Sequence, residues 1–323
     1  MRSRILGALV AAGIAVGGAP AAFAEDIAIA MHVDPSHEMF SVGRKLKELI
    51  EERSDGAFTV TLLGTEVGGE RDHLEGASFG EYQIALGGSM PMSLYAPKYA
   101  ASDLPFVYSS TAQARKVYEG ELGEAVNAAL VASANLRLVG ISKRNPRNLT
   151  SNAPVRTPAD VEGVRMRVPE IASWVKIWSA LGALPSPIAW PEVYTSLQTG
   201  VIDMQENPVG YIHAGKLYEV QKYVDKTQHV YSFFHWLMNN DFYESLSEED
   251  RAMIRGAIDE AIAWGDETTD TLQAELYADL EAKGMTVVEP DTAAFREKAA
   301  PAVREVAQGL DPQVRDYVLS FID

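Results

Sequence analysis

Apolar positions along the chain alternate between strand-like and helix-like spacings. Asp26–Met31 reads as a short strand. Val42, Leu46, Leu49 and Ile50 then recur at i, i+4, i+7 and i+8, the stripe of one helix face, which Ser36 can cap and Gly56 can end. Ala57–Leu63 and Glu81–Leu86 read as strands around a helix at Gly69–Phe79. Helical stretches follow at Ala112–Tyr118 and Leu122–Ala134, then a strand at Leu136–Ile141. A second series begins after Arg147. It comprises strands at Val164–Val168, Leu184–Ile188 and Val201–Met204, with helices at Ile171–Leu181 and Trp190–Gln198. This alternation predicts an α/β protein with parallel-rich sheets covered by helices.

Two segments break the rhythm. Val220–Asn240 is rich in aromatic and β-branched residues and has no Gly or Pro. It is too long for one ordinary strand and fits a strand pair or a strand passing between two lobes. Ser247–Lys283 keeps a helical pattern for more than thirty residues, roughly 50 Å at 1.5 Å per residue, with Gly265 as the expected kink. A helix of that length bridges two lobes. A brief strand at Met285–Val288 and two terminal helices complete the pattern.

Composition narrows the function. The chain has 323 residues, enough for two domains. Its 28 Lys+Arg against 45 Asp+Glu give a formal charge of -17, which argues against nucleic acid as a partner. The complete lack of cysteine excludes disulfides, Cys-ligated zinc, Fe–S clusters and thiol catalysis. Arg2 and Arg4 precede a short apolar run, Ile5–Val16, and Ala22-Phe23-Ala24 forms an A-x-A site. Residues 1–24 therefore read as a secretory signal peptide.

Catalytic motifs are scarce. G-x-S-x-G, H-E-x-x-H, the P-loop and G-x-G-x-x-G do not occur. Ser173-Trp174-Val175-Lys176 matches S-x-x-K but lacks the S-D-N and K-T-G companions, so a secreted hydrolase or transferase using Ser173 and Lys176 is the weaker reading. No pair among the six histidines has the i, i+4 spacing of a zinc site, and no cofactor is implied. An acidic secreted chain without catalytic machinery points to ligand capture, and the chain is expected not to be an enzyme.

Arg165 and Arg167 share one face of a strand, opposite Val164, Met166 and Val168. Crevices lie at the carboxyl ends of such strands. Arg167, directly before Pro169, is therefore the better placed to clamp an anion with its planar fork. From the residues alone, a structural ion pair with one of the many acids is the stronger reading for both arginines.

Three segments carry a family resemblance. One runs from Arg147-Asn148-Leu149-Thr150-Ser151-Asn152 through Thr157-Pro158-Ala159-Asp160 to Gly163-Val164-Arg165-Met166-Arg167-Val168-Pro169. Another is Trp190-Pro191-Glu192-Val193-Tyr194 followed by Leu197-Gln198-Thr199-Gly200-Val201-Ile202-Asp203-Met204-Gln205-Glu206-Asn207-Pro208. The third is Gly68-Gly69-Glu70-Arg71 with Gly80 and Leu104-Pro105-Phe106. Together they resemble the DctP-type solute-binding subunit of tripartite ATP-independent periplasmic (TRAP) transporters. Met204 departs from the glycine usual before Gln-Glu-Asn-Pro.

The resemblance implies a periplasmic binding protein-like fold, two α/β lobes joined by hinge strands and a long bridging helix. Lobe I would take residues 25–144 plus about 233–272, and lobe II about 145–232 plus 273–323. It reverses the odds for Arg167, whose family counterpart grips the substrate carboxylate; Arg165 stays an ion-pair residue. It directs Arg147 into the cleft, where interlobe packing is the alternative. It places Asn207 on the ligand carboxylate, where N-capping ahead of Pro208 is the alternative. Trp190 would face the ligand. Glu70 would accept ligand hydroxyls or an ammonium, unless it merely complements a helix dipole. His32 and His235 would face the cleft, with His37, Ser89, Met90, Tyr211 and Trp236 as lesser candidates. Gln205 and Glu206 would support the site.

The implied partners are a small organic anion and the small and large TRAP permease subunits, with the binding protein itself a periplasmic monomer. A uronate or aldonate is the favoured ligand and a C4-dicarboxylate the next. A ligand sensor without a transport role remains an alternative.

Overall fold

The computed structural model describes residues 24–322; the signal-peptide reading falls on residues almost wholly outside that range. The first half builds β1 (Glu25–Met31), α1 (Glu38–Arg53), β2 (Phe58–Leu63), α2 (Glu70–Phe79), β3 (Ile84–Gly87) and α3 (Met90–Tyr95). It continues through α4 (Thr111–Arg115), α5 (Gly120–Ala134) and β4 (Leu136–Lys143). The second series is β5 (Arg147–Ser151), β6 (Arg165–Val168), α6 (Ala172–Ala180), β7 (Leu184–Pro187), α7 (Val193–Gln198), β8 (Gln205–Pro208) and α8 (Val209–Ala214). Then come β9 (Tyr223–Val230), β10 (Phe233–Asn239), α9 (Asn240–Ser245), α10 (Glu248–Ala282), β11 (Thr286–Val288), α11 (Thr292–Ala307) and α12 (Pro312–Leu319).

These strands form one five-stranded sheet, β2-β1-β3-β10-β4, and one four-stranded sheet, β11-β9-β5-β8. The pair β6-β7 extends the second sheet through a bridge between Met166 and Met204. The sheets are mixed and not parallel-rich. β1 runs parallel to β2 and β3, but β10 is antiparallel to both β3 and β4, and β5 is antiparallel to both β8 and β9. The cause is the path of the chain. It leaves the first sheet at β4, enters the second at β5, and returns from β9 to β10. The long apolar stretch at Val220–Asn240 is thus a strand pair split between the two sheets.

Burial follows the expected periodicities. In β1, Ile27 and Ile29 point into the core against Val42, Leu46 and Ile50 of α1 and Ile254 and Ile258 of α10. The opposite face of that sheet packs on α2 and α5 through Ala85, Leu74 and Leu130. The same core runs on into Trp174 and Trp178 of α6 and Phe295 of α11. A third cluster joins α7, α8 and the end of α10 through Val193, Ile212 and Leu280.

Helix α10 is one unbroken element of 35 residues, capped by the Ser247 hydroxyl. It passes through Gly265 without ending there. The glycine serves close packing: a Cβ at that position would stand 2.6 Å from Val42 Cγ2 of α1. The cap of α1 is His37, whose Nδ1 accepts from the Met39 amide, where Ser36 was expected.

Candidate functional site

A small cavity of about 20 Å³ lies where the carboxyl ends of strands from the two sheets meet. His32, Glu70, Ser89, Arg144, Arg147, Arg167, Pro169, Trp190, Asn207 and Tyr211 line it. The first sheet contributes the residue after β1, the start of α2, the turn after β3 and the residue after β4. The second contributes β5, β6, β8, α8 and the turn at Trp190.

Three buried guanidiniums dominate this cavity, and they are not equivalent. Arg147 is paired: its Nε and Nη2 donate to the two Glu206 oxygens at 2.5 and 2.7 Å, and Nη2 also donates to the Glu206 carbonyl at 2.8 Å. It lies 5.0 Å over the Trp174 ring. Glu206 is fully buried and stands 3.0 Å from His229 Nε2. Burial pushes the Glu206 carboxyl up, but the Arg147 charge and the hydrogen bonds from Arg147 and His229 outweigh it and hold the group at about 2. This ion pair fixes a site wall.

Arg167 is spent on only one bond, from Nε to the Ile188 carbonyl at 2.7 Å. No carboxylate among the described residues comes within 4.0 Å of it. Burial lowers its pKa to about 10 and the neighbouring Arg147 adds to that, while Glu206 and Glu70 act the other way. Its backbone is locked by the bond from its amide to the Met204 carbonyl, 2.8 Å. Met204 is a buried bridge residue and does not line the cavity. Asn207 sits on β8, paired opposite Asn148, and does not cap the following helix. Its Nδ2 donates to Gln205 Oε1 at 2.7 Å, and Oδ1 has no partner among the described residues. Gln205 is held in turn by Thr150, its Nε2 donating to Oγ1 at 3.0 Å.

On the other wall, Glu70 Oε1 accepts from the Gly88 and Met90 amides at 2.7 and 3.0 Å. Burial raises the Glu70 pKa, but His32, Arg144 and the two amides together bring it below the usual value. His32 Nδ1 faces the Leu86 carbonyl at 2.5 Å and so carries the proton. Nε2 therefore accepts from the Tyr211 hydroxyl at 2.7 Å. Burial, with help from Arg144, lowers the His32 pKa against the pull of Glu70. Trp190 meets Tyr211 edge-on, with centroids 5.1 Å apart.

The sequence-based candidates thus separate into three groups. Arg167, Arg147, Asn207, Glu70, Trp190 and His32 line one cavity, with Ser89 and Tyr211 beside them. His235 stands one layer back: Nδ1 donates to the Gly88 carbonyl at 2.7 Å and Nε2 accepts from Tyr118 at 2.6 Å. Burial lowers its pKa to about 4. His37 packs edge-on against Tyr211, and Trp236 donates to Ser142. Arg165 forms an exposed bidentate pair with Asp203, as expected of it. Lys176 is tied to Glu305 on the outer surface, at 2.5 Å.

Arg144 is the residue that sequence reasoning missed. Its signal was the basic pair Lys143-Arg144 three residues before Arg147. Ending the strand at Ile141 placed Arg144 within a loop. With β4 extended to Lys143, it becomes the first residue past a strand end, a crevice position.

A larger groove of about 580 Å³ runs along α10 past Met39 and Trp264. Its lining includes Glu38, Glu267 and Glu275 and no Arg or Lys, so it is unsuited to an anion.

Residues 29–309 match the family described as bacterial extracellular solute-binding protein, family 7, DctP. A solute-binding protein of Roseobacter denitrificans is 35% identical over 308 residues, covering 93% of each chain. A sialic acid-binding periplasmic protein of Vibrio cholerae is 29% identical over 267 residues, covering 82% of this chain and 83% of that one. Among solved structures, a TRAP periplasmic solute-binding protein from Roseobacter denitrificans with bound L-galactonate superposes with a TM-score of 0.86. It is 33% identical, and the match covers 93% of this chain and 99% of that one.

Proposed function

The chain belongs to the DctP family of TRAP periplasmic solute-binding proteins, a transport family and not an enzyme family, and from that premise we propose that it captures a sugar acid through one carboxylate and delivers it to a sodium-driven TRAP permease. The observation that carries the ligand reading is Arg167. A buried guanidinium without a counter-ion is costly, and an incoming carboxylate supplies the missing charge. The Asn207 Oδ1 accepts a hydrogen bond from an adjacent ligand hydroxyl, and Arg147, held by Glu206 over Trp174, forms the wall beside them. L-galactonate and sialic acid, the acids bound by two relatives, are consistent with this reading.

A cavity of about 20 Å³ has room for a single water and not for an organic acid. Loading therefore requires the two lobes to part, with bending at the β4–β5 and β9–β10 crossings. Micromolar capture corresponds to about -8 kcal/mol. Charge-assisted hydrogen bonds at about 1.5–3 kcal/mol each supply that after ordering costs.

Arg167→Ala is expected to abolish tight binding of L-galactonate and D-galacturonate in calorimetric titration while the far-ultraviolet dichroism stays native. Unchanged affinity in that variant would remove the clamp.

A further inference from the structure

We propose that Arg144 and Glu70 form a hydroxyl-reading subsite, which makes this protein a receptor for hydroxylated monocarboxylates and turns it against dicarboxylates. The inference rests on the carboxylate reading above and deepens it.

Arg144 is buried, yet its one hydrogen bond runs from Nη1 to Ser89 Oγ at 3.1 Å. Its Nε has no partner, and among the described residues no carboxylate oxygen lies within 4.0 Å. The guanidinium rests over two rings, 5.3 Å from the Tyr211 centroid and 4.8 Å from that of Phe234. Ring faces offset part of the burial cost of the charge but satisfy none of the in-plane N–H groups.

Glu70 has the complementary deficit. Its Oε1 is engaged by two amides. Its Oε2 accepts no hydrogen bond among the described residues, and His32 Nε2 lies 3.7 Å away, beyond hydrogen-bond reach. Both deficits converge on Gly88. A Cβ there would stand 3.0 and 3.2 Å from the two Arg144 Nη atoms and 3.0 Å from His32 Nε2, and the Gly88 amide is bonded to Glu70 itself. Donors without acceptors and an acceptor without a donor thus flank one glycine. A hydroxyl answers both, accepting from Arg144 and donating to Glu70. A second carboxylate answers Arg144 only and meets the Glu70 charge head-on.

The charge balance points the same way. Arg144, Arg147 and Arg167 are faced by Glu70, Glu206 and Asp103, so the cavity holds no surplus of positive charge for a second carboxylate.

The test is calorimetric titration of the wild-type protein with L-galactonate, D-galacturonate, galactarate and hexanoate. At least one of the first two is expected to bind. Galactarate, which keeps the hydroxyls and adds a carboxylate, and hexanoate, which lacks the hydroxyls, are each expected to bind about 100-fold more weakly. Glu70→Gln and Arg144→Gln should each weaken the sugar acid by about 10- to 100-fold and narrow the gap between the sugar acid and hexanoate. Thermal melts establish that the variants are folded, and the wild-type ligand series stands without them. Galactarate binding as tightly as the sugar acids overturns the subsite. So does full sugar-acid affinity in both variants while Arg167→Ala loses it, an outcome that leaves the carboxylate clamp intact. Failure of every acid to bind the wild type removes the clamp and the subsite together.

Discussion

Glu206 illustrates how one residue sets both the shape and the acid tolerance of the site. It neutralises Arg147, so that Arg147 forms a wall while Arg144 and Arg167 remain available. Its carboxyl is held at about 2 against an ordinary value of 4.5. A carboxyl depressed on folding adds stability that is fully present above pH 4.5 and is lost as pH falls towards 2. At 1.36 kcal/mol per pKa unit this amounts to about 3 kcal/mol. Glu206→Gln is therefore expected to lose roughly 3–5 kcal/mol at pH 7, because Arg147 stays buried without its partner. Its urea midpoint should also change less than that of the wild type between pH 5 and pH 2.5. Equal pH dependence in the two proteins would show that the pair does not govern acid stability.

At the scale of elements, the contact of α10 with α1 depends on a missing side chain. Gly265→Ala gains about 1 kcal/mol of helix propensity but sets a methyl group against Val42 Cγ2. Overpacking of this kind costs about 1–3 kcal/mol, so net destabilisation is expected. Val42→Ala in the same chain should relieve it, giving a coupling above about 0.5 kcal/mol in a double-mutant cycle measured by chemical denaturation. Strict additivity would show that the helices are not in contact there. The element pattern itself was legible in the sequence, since the apolar stripe of α1, the length of α10 and the split of Val220–Asn240 all follow from local periodicity. Strand direction was not, because it depends on where the chain crosses between sheets and not on local pattern. β5 was hidden for a related reason: Arg147–Ser151 is buried at every position, so its polar residues show no alternation. The site divides similarly. Arg167 and Asn207 were visible through motif and spacing, whereas Arg144 required the true end of β4.

For the whole molecule, the acidic surface and the arginine-lined interior are compatible because exposed charges are screened within about 8 Å at physiological ionic strength. On the proposed closure, titration with a bound sugar acid should reduce the radius of gyration measured by small-angle scattering, and Arg167→Ala should not contract. A radius unchanged by ligand in the wild type would exclude a hinge-closing cycle.

Arg144 and Arg147 stand on either side of Asn145-Pro146, in the short span that carries the chain from the first sheet to the second. On the proposed function, groups that receive the acid are therefore part of the joint itself. Beyond burial, Arg147, itself paired with Glu206, lowers the pKa of both Arg144 and Arg167, so basic groups crowd the shut cleft on both sides of this joint. On the proposed function, a bound carboxylate bridges these groups at the pivot, where a small change in angle swings a whole lobe. On that reading the bound acid is the latch of the joint as well as its load.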